Sequence, residues 1–238
     1  MDHRYSILFL VFAGAMGGLA VLCLEDRFWD SVGLFYVSIS SGMLGIAYAG
    51  LGGKVIPKSQ SGKLNTAFYL IFGAYFLMNE VFFWIYRMTS PELAFKPVSP
   101  NLYFGRRLTK SEAAEGIALG WQSVLDLAVE FSEIAPLRKL PGYRSLPLLD
   151  STAPSADQIN DAVVWLKQAT SSGPVYVHCV SGHGRTTCIV AAYLVATGAV
   201  RDTDAAITKL QELRPSIRLS SAQLKAMRNY QHGDKLNV

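Results

Sequence analysis

The stretch at 178–187 combines the residue types that phosphoryl chemistry requires. Cys179 offers a sulfur nucleophile, and Arg185 follows it six positions later. Gly182 and Gly184 lie between them, and glycine allows consecutive backbone N–H groups to point inward as an anion-binding nest. An arginine fork can hold two phosphate oxygens at once, which a lysine ammonium cannot do. The pattern therefore predicts a loop that binds a phosphate and presents a thiolate to its phosphorus atom.

The elements around this loop are predicted to hold it in place. Val175–His178 has the pattern of a buried strand, and 184–197 has that of a core helix. Ligands of an open α/β sheet bind at the carboxyl ends of its strands, and a helix N-terminus adds unpaired N–H groups and a positive dipole end. The same surroundings stabilise a cysteine thiolate. The residues expected to contact the phosphate are Val180, Ser181, Gly182, His183, Gly184 and Arg185.

Two other interpretations of the loop are weaker. A nucleotide-binding loop has the pattern Gly-x4-Gly-Lys-Ser/Thr, and this stretch has no lysine. A glycine-rich turn with an incidental cysteine would not require a strand before it and a helix after it. We therefore retain the interpretation that Cys179 is a nucleophile.

Residues 101–238 alternate predicted strands with predicted helices and have the composition of a soluble domain. This alternation is typical of an α/β fold with a largely parallel central sheet flanked by helices. The predicted strands are 101–105, 124–128, 146–149 and 175–178, and the predicted helices are 110–118, 156–170, 184–197, 202–213 and 221–231.

Residues 1–89 hold most of the apolar excess of a chain that is 50% hydrophobic and 17% charged. Three stretches have the length of membrane-spanning helices, which need about 20 apolar residues. They are 5–24, 31–53 and 64–86. A soluble core helix could explain one such stretch, but not three in succession. Glu80 is the only acid within them, and we expect it to be paired or to face the membrane interface. Residues 90–100 contain three prolines and are predicted to be a linker.

The net charge and the number of cysteines restrict the classes of partner and the cellular compartment that we expect. The net charge of +4 is too small and diffuse to indicate nucleic-acid binding. Three cysteines do not make a disulfide framework, and a reactive thiol suits a reducing compartment. The basic residues that flank the predicted spans divide almost evenly between the two faces, so the positive-inside rule does not orient them. Thiol chemistry favours a cytoplasmic catalytic domain, and the bacterial inner membrane is the expected location.

The loop resembles the signature of the cysteine-dependent protein-tyrosine-phosphatase superfamily, in its dual-specificity branch. The similarity extends over about 101–231 and points in particular to the mitochondrial phosphatidylglycerophosphate phosphatase and its plant and bacterial relatives. The stretches that carry it are Asn101-Leu-Tyr-Phe-Gly-Arg-Arg107, Val124-Leu-Asp-Leu127, Leu146-Pro-Leu-Leu-Asp150, Val175-Tyr-Val-His-Cys179 and 217–224. Three apolar helices are not part of the usual catalytic domain of this family.

The resemblance implies a role for the main residues of the loop. Cys179 would form a phosphocysteine intermediate, and Arg185 would bind the phosphoryl group. The hydroxyl of Thr186 would donate a hydrogen bond to the cysteine sulfur, and His178 would orient the loop from behind. The family needs neither a metal nor another cofactor.

The resemblance also implies a general acid, an aspartate on a separate loop upstream. Asp150 lies 29 residues before Cys179, just after the predicted 146–149 strand. It would protonate the leaving-group oxygen and then deprotonate the attacking water. The alternatives are Asp157, near a predicted helix start, and Asp126, inside a predicted strand.

The sequence leaves several nearby residues open between two roles. His183 is expected either to touch substrate or to face solvent. Arg218 and Gln223 are expected to contact substrate or to serve in surface and capping interactions. Arg106 and Arg107 are expected to face anionic lipid or to form a solvated basic pair.

These observations predict a membrane-anchored phosphomonoesterase that acts on a phosphate near the lipid bilayer, with a phospholipid headgroup as the favoured substrate. The alternative enzyme is a phosphatase for phosphorylated tyrosine, serine or threonine in proteins. A phosphate-binding scaffold is the hypothesis from a different class, and it would require a catalytic element to be missing from the chain. The expected partners are the phosphorylated substrate and the bilayer.

Overall fold

The computed structural model describes residues 4–234, with side chains through Tyr230, so 235–238 of the predicted 101–238 domain lie outside the described residues. Three helices come first and an α/β domain follows. The helices are α1 (Arg4–Leu22), α2 (Phe28–Ile46) and α3 (Ala67–Thr89). A π-helical turn (Ala47–Leu51) and a 3₁₀ turn (Gly52–Val55) extend α2. All three helices are long and apolar enough to span a membrane, as the sequence predicts.

Helices α1 and α2 form a close antiparallel pair because small residues line their contact. A Cβ atom on Gly17 would lie only 3.1 Å from the hydroxyl oxygen of Ser38. Three serine hydroxyls donate hydrogen bonds to backbone carbonyls across the pair. They are Ser6 to Gly45 at 2.9 Å, Ser31 to Ala20 at 2.7 Å and Ser38 to Ala13 at 2.7 Å.

The domain has a five-stranded sheet in the order β1-β2-β5-β3-β4, which confirms the predicted α/β class. The strands are β1 (Phe95–Ser99), β2 (Leu102–Gly105), β3 (Ser123–Ala128), β4 (Gly142–Leu148) and β5 (Val175–His178). Only the β1–β2 pair is antiparallel among these strands. The flanking helices are α4 (Lys110–Ala118), α5 (Ala135–Arg138), α6 (Ala156–Ser172), α7 (Arg185–Ala196), α8 (Thr203–Leu213) and α9 (Ser221–Asp234).

The structure corrects the predicted linker at 90–100. Strand β1 lies within it and pairs with β2, so the chain joins the domain soon after α3 ends. Pro97 is accommodated because β1 is an edge strand, where a missing N–H leaves no partner unsatisfied. A bulge follows between Pro97 and Ser99. Proline content alone therefore indicated a linker where the chain forms the edge of the sheet.

Strand β5 lies at the centre of the sheet, between β2 and β3. All four of its residues are buried, as are the first eight of α7. The loop that joins β5 to α7 therefore emerges in the middle of the carboxyl edge of the parallel strands, where ligands bind in such sheets. The buried strand and the buried helix leave this loop little freedom to move.

Candidate active site

The loop from Cys179 to Gly184 is folded tightly at the start of α7. Gly182 has a φ angle of 81°, and a Cβ atom there would lie 2.5 Å from the carbonyl oxygen of Gly105. Only glycine fits this position. The N–H of Gly182 donates to the sulfur of Cys179 at 3.3 Å, and the thiol is 1% exposed. The nucleophile predicted from sequence therefore lies inside a curled loop that directs a backbone donor at it.

Arg185 is buried at the first position of α7 and is held by acidic side chains. Its Nη1 atom donates to both carboxylate oxygens of Glu130, at 2.8 and 2.9 Å, and to the carbonyl of Leu148 at 2.7 Å. Its Nη2 atom lies 3.0 Å from Asp150 Oδ1. Its Nε atom is buried and has no hydrogen-bond partner among the described residues. A buried donor of this kind is suited to a phosphate oxygen.

Glu130 is a residue of the site that sequence reasoning missed. It is 1% exposed, and burial raises its pKa above the usual value although the guanidinium of Arg185 opposes this. Burial alone would lower the pKa of Arg185, but Glu130 and Asp150 raise it well above its usual value, so the arginine stays charged. Glu130 follows β3 at the carboxyl edge of the sheet. That position was the available signal, because functional side chains collect at this edge.

Of the three candidate acids, Asp150 is the one that lies beside the loop. It follows β4, its side chain is 59% exposed, and it contacts Arg185. Ser151, the next residue, has a φ angle of 58°, which is strained for a residue other than glycine. Asp157 lies in the first turn of α6, and Asp126 is fully buried within β3. Among these three acids, Asp150 is thus the one in contact with Arg185.

The hydrogen bond expected from Thr186 to the cysteine sulfur is absent from the part of the chain that the structure describes. The Thr186 hydroxyl is buried in the first turn of α7 and has no hydrogen-bond partner there. The hydroxyl of the neighbouring Thr187 is also buried and has no hydrogen-bond partner among the described residues. The sulfur contact comes instead from the backbone of Gly182.

His178 ends β5 immediately before the loop and is fully buried. Its Nε2 atom is 2.8 Å from Glu133 Oε2, an ion-pair distance outside good hydrogen-bond geometry. Burial alone would lower the pKa of His178, but the carboxylate of Glu133 raises it above the usual value. The ring also stacks on Tyr176 with centroids 5.2 Å apart. Its orientation is therefore fixed by charge from one side and by packing from another.

A lysine from the chain between α2 and α3 enters the core beneath this histidine. The Nζ atom of Lys58 lies 2.5 Å from Asp126 Oδ2, and both side chains are at most 1% exposed. Burial alone would raise the pKa of Asp126, but Lys58 holds it below the usual value. The ligand atoms of Asp126, Glu133 and His178 lie within 4.8 Å of one another, and Lys58 is the cation beside them.

Replacing Lys58 with methionine is expected to lower the free energy of unfolding by about 3–5 kcal/mol, because it leaves the carboxylate of Asp126 buried without its cation. Chemical denaturation of the full-length protein in detergent measures the change. The exposed Lys63 of the same segment is the matched control, and Lys63→Met should change stability by less than about 0.5 kcal/mol. Equal losses in the two variants would show that the buried pair is not what Lys58 provides.

The last turn of α3 is hydrogen-bonded to the loop at Cys179–Gly184, called the phosphate loop from here on, and the same contacts include His183. The Tyr86 hydroxyl lies 3.3 Å from the Ser181 carbonyl and 3.3 Å from His183 Nε2. Glu92 approaches the same ring nitrogen at 2.7 Å and pairs with the buried Arg214 at 2.8 Å. The His183 side chain is 16% exposed and is engaged by Tyr86 and Glu92, so it does not simply face solvent. It joins the loop to the apolar helices.

The two arginines after β2 also have intramolecular partners. Arg106 is buried and pairs with Glu112 at 2.8 Å. Arg107 pairs with Glu80 of α3 at 2.9 Å, and its guanidinium lies 4.1 Å from the centre of the Phe131 ring. The expectation that these arginines face lipid or solvent is wrong. The expectation of a paired role for Glu80 agrees with this contact.

Arg218 and Gln223 have structural contacts. Arg218 donates to the carbonyls of Pro215 and Ile217, both at 2.8 Å. Gln223 is buried, its Oε1 accepts from the Ser220 N–H at 3.0 Å, and its Nε2 donates to the Thr152 carbonyl at 3.1 Å.

A Cβ atom on Gly184 would lie 2.8 Å from Gln223 Nε2. Gln223 therefore links the segment that follows Asp150 to the phosphate loop.

Part of the chain is similar in sequence to known phosphatases. Residues 120–199 match the family described as "Polymorphic toxin system, DSP-PTPase phosphatase". Phosphatidylglycerophosphate phosphatase PTPMT1 of Arabidopsis thaliana is 40% identical over 126 residues, which are 50% of this chain and 37% of that protein. The chain thus spans little more than a third of the length of this relative.

Solved structures share the fold. The crystal structure of PTPMT1 in complex with PI(5)P aligns over 61% of this chain and 99% of its own, with a TM-score of 0.54 and 18% identity. Tk-PTP in its active form aligns over 58% and 97%, with a TM-score of 0.54 and 20% identity. At these identities the structures support the fold.

Proposed function

The domain that follows the three helices is of the dual-specificity protein-tyrosine-phosphatase type, and on that premise we propose that it hydrolyses phosphomonoesters through a phosphocysteine on Cys179. The observation that carries the proposal is the contact set of Arg185. Its Nη1 atom is fixed by Glu130, while its buried Nε atom has no partner among the described residues. This arrangement leaves part of the fork for a phosphate oxygen beside the sulfur.

The first half of the proposed reaction transfers the phosphoryl group to sulfur. Backbone N–H groups of 180–184 and the guanidinium of Arg185 bind the phosphate oxygens and neutralise their charge. The Cys179 thiolate attacks phosphorus while the bond to the ester oxygen breaks. Asp150 gives its proton to that oxygen, so the alcohol leaves neutral.

The second half regenerates the thiolate. A water molecule attacks the phosphorus of the phosphocysteine, and Asp150, now ionised, takes its proton. The phosphorus–sulfur bond breaks, inorganic phosphate leaves and the Cys179 thiolate is restored. Glu130 acts as a positioning residue in both halves, because it holds the guanidinium of Arg185 in a fixed orientation.

Replacing Asp150 with asparagine is expected to lower kcat/KM on alkyl phosphates by on the order of 10²-fold or more, because a poor leaving group needs a proton. With p-nitrophenyl phosphate, whose leaving group is stable as an anion, the loss should be much smaller. Asp157→Asn, in the first turn of α6, is the matched control and should leave both rates near those of the unmodified protein. Equal losses on both substrates in the Asp150 variant would remove it from the role of acid.

The favoured substrate is a phospholipid monoester. A cavity of about 860 Å³ borders the segment after Asp150, within the range of about 300–1,000 Å³ typical of ligand sites. Its walls combine the apolar helices, through Tyr5 and Tyr48, with Ser151 and Pro154 of the domain. Such a cavity could hold the remainder of a lipid whose phosphate lies in the loop. Phosphatidylglycerophosphate is the substrate named for the Arabidopsis relative, and we adopt it as the test compound.

Competition between a lipid and a peptide tests this choice. The full-length protein, in mixed micelles, is assayed on phosphatidylglycerophosphate, on a phosphotyrosine peptide and on glycerol phosphate, which lacks acyl chains. We expect the highest kcat/KM for the lipid and a clear loss for glycerol phosphate. A preference for the peptide would support the alternative function, a protein phosphatase. Turnover no greater than that of a Cys179→Ser variant on every substrate would support a scaffold instead.

A further inference from the structure

The chain is fixed to the α/β domain on both sides of α3. Before the helix, the N–H of Glu133 donates to the Gly62 carbonyl at 2.8 Å. The N–H of Leu64 donates to the Ser132 hydroxyl at 3.0 Å. Near the end of the helix, the Tyr86 hydroxyl donates to the Ser181 carbonyl of the phosphate loop at 3.3 Å. Both ends of α3 therefore lie against one domain.

The middle of α3 packs on the same domain. Phe72 and Phe76 share a buried cluster with Val129, which follows β3. The ring of Phe83 lies 6.1 Å from that of Phe131, centroid to centroid. The helix therefore contacts the domain in its middle as well as near both ends.

These contacts are difficult to reconcile with a helix that crosses a bilayer. The 23 residues of α3 make a helix about 35 Å long. A domain of about 140 residues has a radius of gyration of about 14 Å, hence a diameter close to the length of this helix. A crossing helix that touched the domain throughout would carry the domain into the hydrocarbon core. The ion pair of Glu80 with Arg107 would then lie within the membrane, where charges are costly.

The side of α3 that points away from the domain is apolar along its length. Helical spacing places most of its large exposed apolar residues on one side, opposite Phe72, Phe76 and Phe83, while the exposed Tyr69 and Trp84 lie on a flank. The exposed residues on the side opposite the domain are Leu70, Leu77, Met78, Val81, Phe82, Ile85 and Met88. The two charged residues of the helix, Glu80 and Arg87, both pair with residues of the domain. We call the seven exposed residues the outward face.

We propose that α3 lies in the plane of the membrane surface, with its outward face in the boundary between headgroups and acyl chains and the domain on its other side. Amphipathic helices of this kind bury an apolar face roughly 5–10 Å deep. The position of α2 indicates that lipid covers the outward face. The N–H of Ala74, which lies on the outward side, donates to the Tyr36 hydroxyl of α2 at 3.3 Å. The apolar α1–α2 pair therefore extends from the same side of α3.

This arrangement resolves the orientation that the sequence leaves open. With α1 and α2 as the two crossing helices, the 54–63 segment and the domain share one side of the membrane. Arg4, Lys54 and Lys63 lie on that side, and Arg27 lies in the turn on the other. The positive-inside rule then places the domain in the cytoplasm, in agreement with the requirements of a reactive thiol.

The depth of the outward face tests the proposal. Single spin labels are placed at Leu70, Val81 and Met88 of a full-length protein that carries Cys23→Ser and Cys179→Ser, in phosphatidylcholine–phosphatidylglycerol vesicles. Accessibility to a lipid-soluble and a water-soluble quencher gives the depth of each label. We expect equal, shallow depths for all three, and an aqueous reading for a control label at the exposed Val164 of α6. A label at Val81 that lies about 10 Å or more deeper than the other two would show a crossing helix and overturn the proposal.

Sided labelling gives an independent reading. In the same protein lacking Cys23 and Cys179, Ser61→Cys lies before α3 and Glu115→Cys lies after it, on α4, both at exposed positions. A membrane-impermeant maleimide should modify both in inside-out vesicles and neither in right-side-out vesicles, while detergent exposes both in either preparation. Modification from opposite sides would overturn the in-plane helix, and modification of both only in right-side-out vesicles would overturn the orientation. Neither result depends on which phosphomonoester the protein hydrolyses, so the proposed function is tested separately.

Discussion

Replacing Cys179 with serine is expected to lower kcat/KM by on the order of 10⁴-fold or more, since the hydroxyl is not ionised at neutral pH and cannot form the phosphocysteine. The backbone of the loop and Arg185 are unchanged, so phosphate should still bind. Steady-state assays with p-nitrophenyl phosphate give the rate, and protection against thermal unfolding by inorganic phosphate reports binding. Mass spectrometry of acid-quenched turnover should detect a phosphorylated peptide containing residue 179 only in the unmodified protein.

The chain contains a matched control for this substitution. Cys188 lies nine residues later on α7, and burial raises its pKa to about 12, so it remains a neutral thiol. Cys188→Ser should therefore retain most of the activity, with at most a loss of stability. Near-normal turnover in the Cys179 variant, or a loss of the phosphorylated peptide only in the Cys188 variant, would contradict the assignment of the nucleophile.

Replacing Arg185 with lysine is expected to lower kcat/KM by about 10²- to 10³-fold although the positive charge is kept. The guanidinium bonds to Glu130, Leu148 and Asp150 at once, and its Nε atom has no partner among the described residues. The three donors of an ammonium all come from one atom, so lysine cannot keep the bonds to Glu130, Leu148 and Asp150 and also present two parallel donors to a phosphate. Steady-state kinetics and phosphate protection should both show the loss, because this residue contributes to binding and to the transition state.

The exposed Arg201 provides the control for an arginine-to-lysine change as such. It pairs with its neighbour Asp202 and lies away from the loop, so Arg201→Lys should leave kcat/KM within about twofold. Activity of the Arg185 variant close to that of this control would mean that charge alone, and not the planar fork, is what the site requires.

The chemistry of the loop could be predicted because it is local in the chain. Cys179, Gly182 and Arg185 lie within seven residues, and a continuous apolar pattern marks the strand before them and the helix after them. Asp150 could be proposed because it follows a recognisable strand.

The buried charges around the loop could not be predicted in the same way, since their partners are far apart in sequence. Arg185 meets Glu130 across 55 positions, and Asp126 meets Lys58 across 68. The periodicity of apolar residues in the sequence does not reveal such a pair, because each charge meets its partner only after the chain has folded. The same limit explains His183, whose partners Tyr86 and Glu92 lie outside the stretches that carry the family resemblance.

Because the helices contribute contacts to the interior of the α/β domain, the domain is not expected to be stable without them. A chain that began at residue 90 would lack Lys58 and leave the carboxylate of Asp126 buried without a counter-ion. It would also lack Tyr86 at the loop and Glu80 beside Arg107. Cleavage after α3, by a protease or by design, should therefore release an unstable and inactive fragment rather than a soluble enzyme. The segment before residue 90 contributes side chains to the interior of the domain, so its removal takes away part of the domain's core.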